Sequence, residues 1–324
     1  MMSKMSNKPK IIALFSGQGS HYRGMGKELF DLNPIFRTEM IKADRYVQKL
    51  IGRSLIDEIY TLENEFVWDD LLVTHPAIIA IENAVYRMIK EEGIQPDFVL
   101  GNSLGEYSAL IAAGIIKLEE GLEICIEQAK LILKYRIEGG MTAVINGKNT
   151  RENNFYKKFN LTLVSDNFKG HYTVTGDQTN LKNFESELQR ASIQFVRLNV
   201  AHPFHSNLMD ELKEEYVQFL SYYPLEQSIE TTFISGIYNR EMSTVEAEYF
   251  WNVTRDYTNF TETVNSLEEK SVNYYLDLGP SGTMATFIKY NLPDHTLSKV
   301  FPILTPFHHG NQNFNLITKQ LLVH

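Results

Sequence analysis

The pentapeptide Gly101-Asn102-Ser103-Leu104-Gly105 constrains this 324-residue chain more than any other feature. It follows an apolar run at 98–100 and precedes a pattern of helical spacing from 106 to 133. Strand, sharp turn and helix in that order is the nucleophile-elbow arrangement. A tight turn forces a serine hydroxyl outward, and glycines stand where backbone elements come close. The following helix would aim its N-terminal N–H groups and the positive end of its dipole at an oxyanion beside the serine. Such a unit points to a mostly parallel α/β sheet. The pentapeptide alone is common and also suits an ordinary turn.

Other segments carry the same texture. The apolar run 11–15 stops at Ser16-Gly17-Gln18-Gly19, a buried strand entering a glycine-rich turn. Residues 78–89 have helical spacing and end on Lys90-Glu91-Glu92-Gly93. Between about 139 and 200 the pattern changes to short strands at 141–145, 161–165, 172–175 and 195–198 with one main helix at 180–190. This reads as a small α+β insert. After His202 helical and strand patterns alternate again, including 274–278 running into Gly279-Pro280. The expected division is a large α/β domain from 9–138 and 202–324, a small domain at 139–201, and a cleft between them.

The formal net charge of −9 argues against non-specific binding to nucleic acid or to an anionic membrane, both of which need a cationic surface. One cysteine, Cys125, permits no internal disulfide and no multi-thiolate metal site, and its expected role is burial on a helix face. Residues 1–10 are polar and basic, the run 11–15 is too short for a signal peptide, and no stretch approaches the roughly 18 apolar residues of a membrane span. A soluble cytoplasmic protein is expected.

Ser103 needs a base, because a serine hydroxyl is a poor nucleophile near neutral pH. Nine histidines compete: His21, His75, His171, His202, His205, His295, His308, His309 and His324. The default for each is a surface or hydrogen-bonded structural role. Ala201-His202-Pro203-Phe204-His205-Ser206 stands out, at the junction where the insert returns to the large domain. Pro203 stiffens the approach, and Ser206 can cap a helix suggested by 208–216.

Five segments in order resemble the malonyl-CoA:acyl carrier protein transacylase family and the acyltransferases of polyketide synthases. They are Phe15-Ser16-Gly17-Gln18-Gly19-Ser20 with Gly24-Met25-Gly26; Thr74-His75-Pro76-Ala77; Gly101 to Tyr107; Phe204-His205-Ser206 with Leu208-Met209; and Gly279-Pro280. The resemblance implies an α/β-hydrolase-like parallel-sheet domain with a ferredoxin-like insert, acylation of Ser103, and His205 as base. It implies that a main-chain carbonyl near Arg255-Asp256-Tyr257, here assigned to Asp256, orients the histidine in place of a carboxylate. It also implies an oxyanion hole from Gln18 and the N–H of Leu104. The partner it implies is an acyl carrier protein bearing a phosphopantetheine thioester, with acyl-CoA as a further donor and neither metal nor cofactor. The bland alternative for Gln18 is a turn residue.

The departures from the family pattern are equally informative. Malonyl-using members hold the free carboxylate with an arginine in the helix after the elbow; the matching position is Gln128, and no arginine lies between 100 and 134. Lys117 and Lys130 are nearby, and Lys130 falls on a different side of the helix. Losing one partner of a buried arginine–carboxylate pair costs about 2–5 kcal/mol, much of it from stranding the other charge. Gln128 therefore disfavours malonyl and leaves neutral groups such as acetyl unaffected, unless it is neutral drift. Asn102 stands where the family has histidine, and His75 where it has glutamine, while Phe204 keeps the form associated with a small acyl pocket. A free-standing branch with this pattern accompanies bacterial polyketide synthases and resembles acyl hydrolases acting on carrier proteins. The leading expectation is hydrolysis of short neutral acyl groups from the carrier. The alternatives are acyl or malonyl transfer from CoA and an inactive docking homologue.

Overall fold

A computed structural model describes residues 8–61, 68–223, 225, 229–307 and 309–322. Residues 1–7 of the polar leading stretch, His308 and His324 lie outside the described residues. The strands in chain order are β1 (Lys10–Phe15), β2 (Phe98–Gly101), β3 (Gly140–Ile145), β4 (Thr162–Phe168), β5 (His171–Gly176), β6 (Gln194–Arg197), β7 (Thr232–Ser235), β8 (Arg240–Met242), β9 (Thr258–Asn259), β10 (Asn273–Asp277) and β11 (Lys299–Pro302).

The first sheet runs β11-β10-β1-β2-β7-β8, parallel throughout except for the antiparallel edge strand β8. Its central strand β1 has Ile12, Ala13, Leu14 and Phe15 fully buried. That continuous apolar run is what a parallel strand covered on both faces requires. In the ladder Phe15 is opposite Gly101, and Leu14 is opposite Asp277. The carboxyl ends of β1, β2 and β10 therefore release three segments side by side: Ser16-Gly17-Gln18, Asn102-Ser103 and Gly279-Pro280. Ligands of open α/β sheets bind at this edge.

The second sheet runs β6-β3-β5-β4-β9. Strands β3 to β6 follow the order strand-helix-strand-strand-helix-strand and pair antiparallel, a ferredoxin-like unit. Its fifth strand, β9, comes from later in the chain and joins β4 in parallel.

One expected element is divided. The helical pattern 106–133 forms two helices, Gly105–Ala113 and Leu118–Lys134. Gly114 has φ +81°, and its N–H returns to the Ile111 carbonyl while that of Ile115 returns to Leu110. A left-handed glycine ends the first helix although the apolar sequence runs on. The helix around 78–89 is longer than its sequence pattern, Leu71–Glu91, and so carries Thr74 and His75 in its buried first turns.

Candidate active site

Ser103 sits at the elbow with φ +55°, in the left-handed region. A Cβ added at Gly101 would overlap the backbone of Glu106, and one at Gly105 would overlap the carbonyl of Phe15. Both glycines are thus steric requirements of a helix packed directly over β1 and β2. Ser103 Oγ lies 2.8 Å from His205 Nε2.

Two main-chain carbonyls hold the histidine. Its N–H donates to the Thr254 carbonyl at 2.9 Å, and Nδ1 is 2.6 Å from the Asp256 carbonyl. Ser206 Oγ donates to the Pro203 carbonyl and accepts from Leu208 N–H, closing the turn beyond it. A carbonyl only accepts, so Nδ1 carries the proton and Nε2 presents its lone pair to the serine hydroxyl. Burial pulls the imidazole down to about 4, against the raising effect of the Asp256 carbonyl. His205 is therefore neutral at physiological pH and able to take a proton. His202, its sequence neighbour, instead places Nδ1 2.5 Å from the Ile137 carbonyl and pins the junction between the two sheets.

Gln18 lines the same cavity as Ser103. Its side-chain amide donates to Thr74 Oγ1 at 3.1 Å, while its main-chain N–H and that of Leu104 make no hydrogen bond among the described residues. Gln18 and Leu104 line the same cavity as Ser103, and Leu104 stands at the start of the helix Gly105–Ala113. Asn102 serves the turn through its backbone, donating N–H to Phe15 and accepting from Gly105.

A cleft of about 250 Å³ reaches Ser103 and His205 between the two sheets, walled by Met141, Val164, Asn167 and His171 on one side and Phe287 on the other. Behind the serine a second cavity of about 20 Å³ is lined by Gln18, His75, Leu104, Gln128, Phe204 and Thr254. Gln128 is 3% exposed. Its amide donates to Tyr107 Oη at 2.9 Å and Thr254 Oγ1 at 2.6 Å, and Tyr107 Oη is 2.7 Å from Tyr216 Oη. Among the described residues no lysine or arginine lines this cavity. Lys130 points away, 3.5 Å from Glu127. His75 is held neutral, pulled down to about 3 by burial and by the nearby His21 and His202; the Cys125 main chain lies near its ring, yet neither nitrogen completes a hydrogen bond among the described residues. Cys125 itself is buried, its thiol donates to the Leu122 carbonyl, and burial pushes its pKa up.

Sequence reading missed three buried carboxyls that frame the site. Glu82 accepts from the N–H and Oγ of Ser16, Glu106 from Gly236 N–H and Tyr249 Oη, and Asp277 from Gly279 and Ala285 N–H. Glu106 was visible as the charged residue beside the elbow; Glu82 and Asp277 stand in apolar runs with no signal beyond their charge. Among the described residues no cluster of histidine, cysteine and carboxylate suits a metal ion, and no helix is long and apolar enough to cross a membrane.

A parallel α/β sheet bearing an elbow serine hydrogen-bonded to a histidine defines the class of α/β proteins built to handle acyl groups. Residues 13–323 match the acyl transferase domain family, and the chain belongs to it. It is 33% identical over 315 residues to the polyketide biosynthesis acyltransferase homolog PksD of Bacillus subtilis, covering 96% of each chain. It is 33% identical over 321 residues to the homolog BaeD of Bacillus velezensis, covering 98% of each. The fold also superposes on the acyltransferase domain from module 8 of the salinomycin polyketide synthase (TM-score 0.87, 22% identity, 97% of this chain and 75% of that one). For the malonyl-CoA:acyl carrier protein transacylase of Streptococcus pneumoniae the values are 0.79, 23%, 96% and 100%.

Proposed function

We propose that this protein removes short neutral acyl groups from the phosphopantetheine thioester of an acyl carrier protein in bacterial polyketide biosynthesis, in the cytoplasm, through an acyl-Ser103 intermediate. Ser103 Oγ attacks the thioester carbonyl while its proton passes to His205 Nε2. The oxyanion lies between the N–H groups of Gln18 and Leu104. Collapse breaks the C–S bond, and the departing sulfur takes the proton from the imidazolium. Water then attacks the ester, gives its proton to Nε2, and Ser103 leaves as the alcohol. Asp256 holds the histidine tautomer through its carbonyl.

The observation that carries the choice of acyl group is Gln128. Its amide is committed to Tyr107 and Thr254 at the wall of a cavity of about 20 Å³. A malonyl carboxylate there would be an unpaired buried charge, whereas an acetyl methyl carries no charge to strand. PksD and BaeD are named as polyketide biosynthesis acyltransferase homologs, which supports a role in polyketide synthesis. Transfer of a neutral acyl group to a thiol, from acyl-CoA or a second carrier, uses the same first step and is favoured by the family as a whole. Acetyl-carrier and malonyl-carrier protein offered together separate these readings by mass spectrometry. Loss of acetyl with malonyl untouched is expected; malonyl passing through Ser103 supports transfer, and no adduct with no turnover supports the inactive homologue.

A further inference from the structure

The orientation of His205 depends on one carbonyl, that of Asp256. On its N-terminal side Asp256 ends the helix Glu248–Arg255, which is tied to the large domain by the Arg255–Asp210 pair at 2.5 Å. On its C-terminal side the chain crosses at once to the ferredoxin-like unit. Tyr257 Oη donates to Asp166 Oδ2 at 2.5 Å. Arg151 grips the same carboxylate with both arms, Nε to Oδ1 at 2.7 Å and Nη2 to Oδ2 at 2.6 Å. Thr258 and Asn259 then form β9 in register with Ser165 and Asp166. The arginine and aspartate side chains are only 29% and 22% exposed. The carbonyl that orients the base is therefore held from both sides of the cleft.

We propose that Arg151, Asp166 and Tyr257 are positioning residues: they form a clasp through which the small unit sets the Asp256 carbonyl against His205 Nδ1, so that Ser103 is activated only while the two sheets are docked. The proposal rests on the reading that His205 is the base for Ser103. A bidentate arginine–carboxylate pair has the fixed geometry that such a device needs, and a hydroxyl donor shared on the same carboxylate extends that geometry to the next residue of the chain. The geometric leverage is large, since a 1 Å misplacement of a reacting group can cost about 10²-fold in rate.

Tyr257→Phe removes one hydroxyl and nothing else. In the full chain, three readouts are taken: the rate at which a fluorophosphonate probe labels Ser103, the KM for acetyl-carrier protein, and the low-field Nδ1 proton resonance of His205 by NMR. The clasp requires labelling about tenfold slower at unchanged KM and a shifted or broadened Nδ1 resonance. Asp166→Asn, which breaks the bidentate grip of Arg151, slows labelling at least as much as Tyr257→Phe. A role in stability alone lowers Tm and leaves labelling and resonance where they were, which overturns the proposal. If the unaltered protein never labels at Ser103, the nucleophile assignment fails instead, and the resonance still decides the clasp.

Discussion

Ser103 Oγ and His205 Nε2 meet at 2.8 Å, and both residues hold left-handed backbone, with φ of +55° and +59°. Non-glycine residues in that region cost about 1–3 kcal/mol each and persist where their surroundings over-determine them. Here the surroundings are the glycines under the elbow and the Thr254 and Asp256 carbonyls. Two strained residues facing one another describe a pair arranged before any substrate arrives.

Because burial pulls His205 down to about 4, Ser103 should react at a flat rate from about pH 5 to 8, with the acid limb near pH 4. The pH dependence of probe labelling at Ser103 measures this. A limb near 6.5 would mean that the imidazole is far more solvated than its setting between Ser103 and Asp256.

Substituting Gln128→Arg should introduce a carboxylate anchor where the amide now meets Tyr107 and Thr254. Overpacking costs about 1–3 kcal/mol of stability. The expected gain is a malonyl-Ser103 adduct visible by intact-mass measurement after exposure to malonyl-CoA. An unchanged acyl preference in a folded variant would show that this cavity does not select the acyl group.

Gly105→Ala forces a Cβ into the Phe15 carbonyl, a backbone atom that cannot move aside. The expected cost is about 3 kcal/mol, roughly 4 °C in Tm for a 324-residue chain at about 2.1 cal/mol/K of unfolding entropy per residue. Thermal unfolding checks it, and a Tm within 1 °C of the parent (about 0.7 kcal/mol) would contradict the described packing of the elbow.

Stability should fall as pH rises from about 6.5 to 8. Burial raises Glu82 and Glu106 to about 8 and Asp277 to about 7, so the folded chain keeps protons that the unfolded chain has released; that stabilisation is complete below the ordinary carboxylate range and lost as pH rises through the folded values. His75 and His205 act oppositely, being depressed, but their contribution is already complete above the ordinary histidine value of 6.5. Tm measured across this window should decline, and Glu82→Gln should flatten the decline; a rising Tm would contradict the neutral buried carboxyls.

Much of this fold was legible because its signals are local. The strands at 11–15 and 98–100 announce themselves as apolar runs stopped by glycine, and the serine and histidine motifs are short. The helix Pro34–Ile51 was equally announced, by Asn33 capping Ile35 and Phe36, Pro34 at its first position and Gly52 past its end, yet was passed over. What could not be read is what depends on distant partners. β9 is two residues long and exists only because Ser165 and Asp166 lie beside it. The division of 106–133 turned on the conformation of one glycine. Gln128 was identified by its position after the elbow, but its bond to Thr254, 126 residues away, belongs to the folded chain alone.

In the proposed reaction water removes a neutral acyl group from Ser103. Incubating acetyl-carrier protein with the protein in ¹⁸O-enriched water shows whether it does. The expected result is free acetate carrying one ¹⁸O atom, bare carrier protein, and no acetate from a Ser103→Ala variant. Acetyl groups moved intact to CoA or to a second carrier, with no labelled acetate, would contradict it.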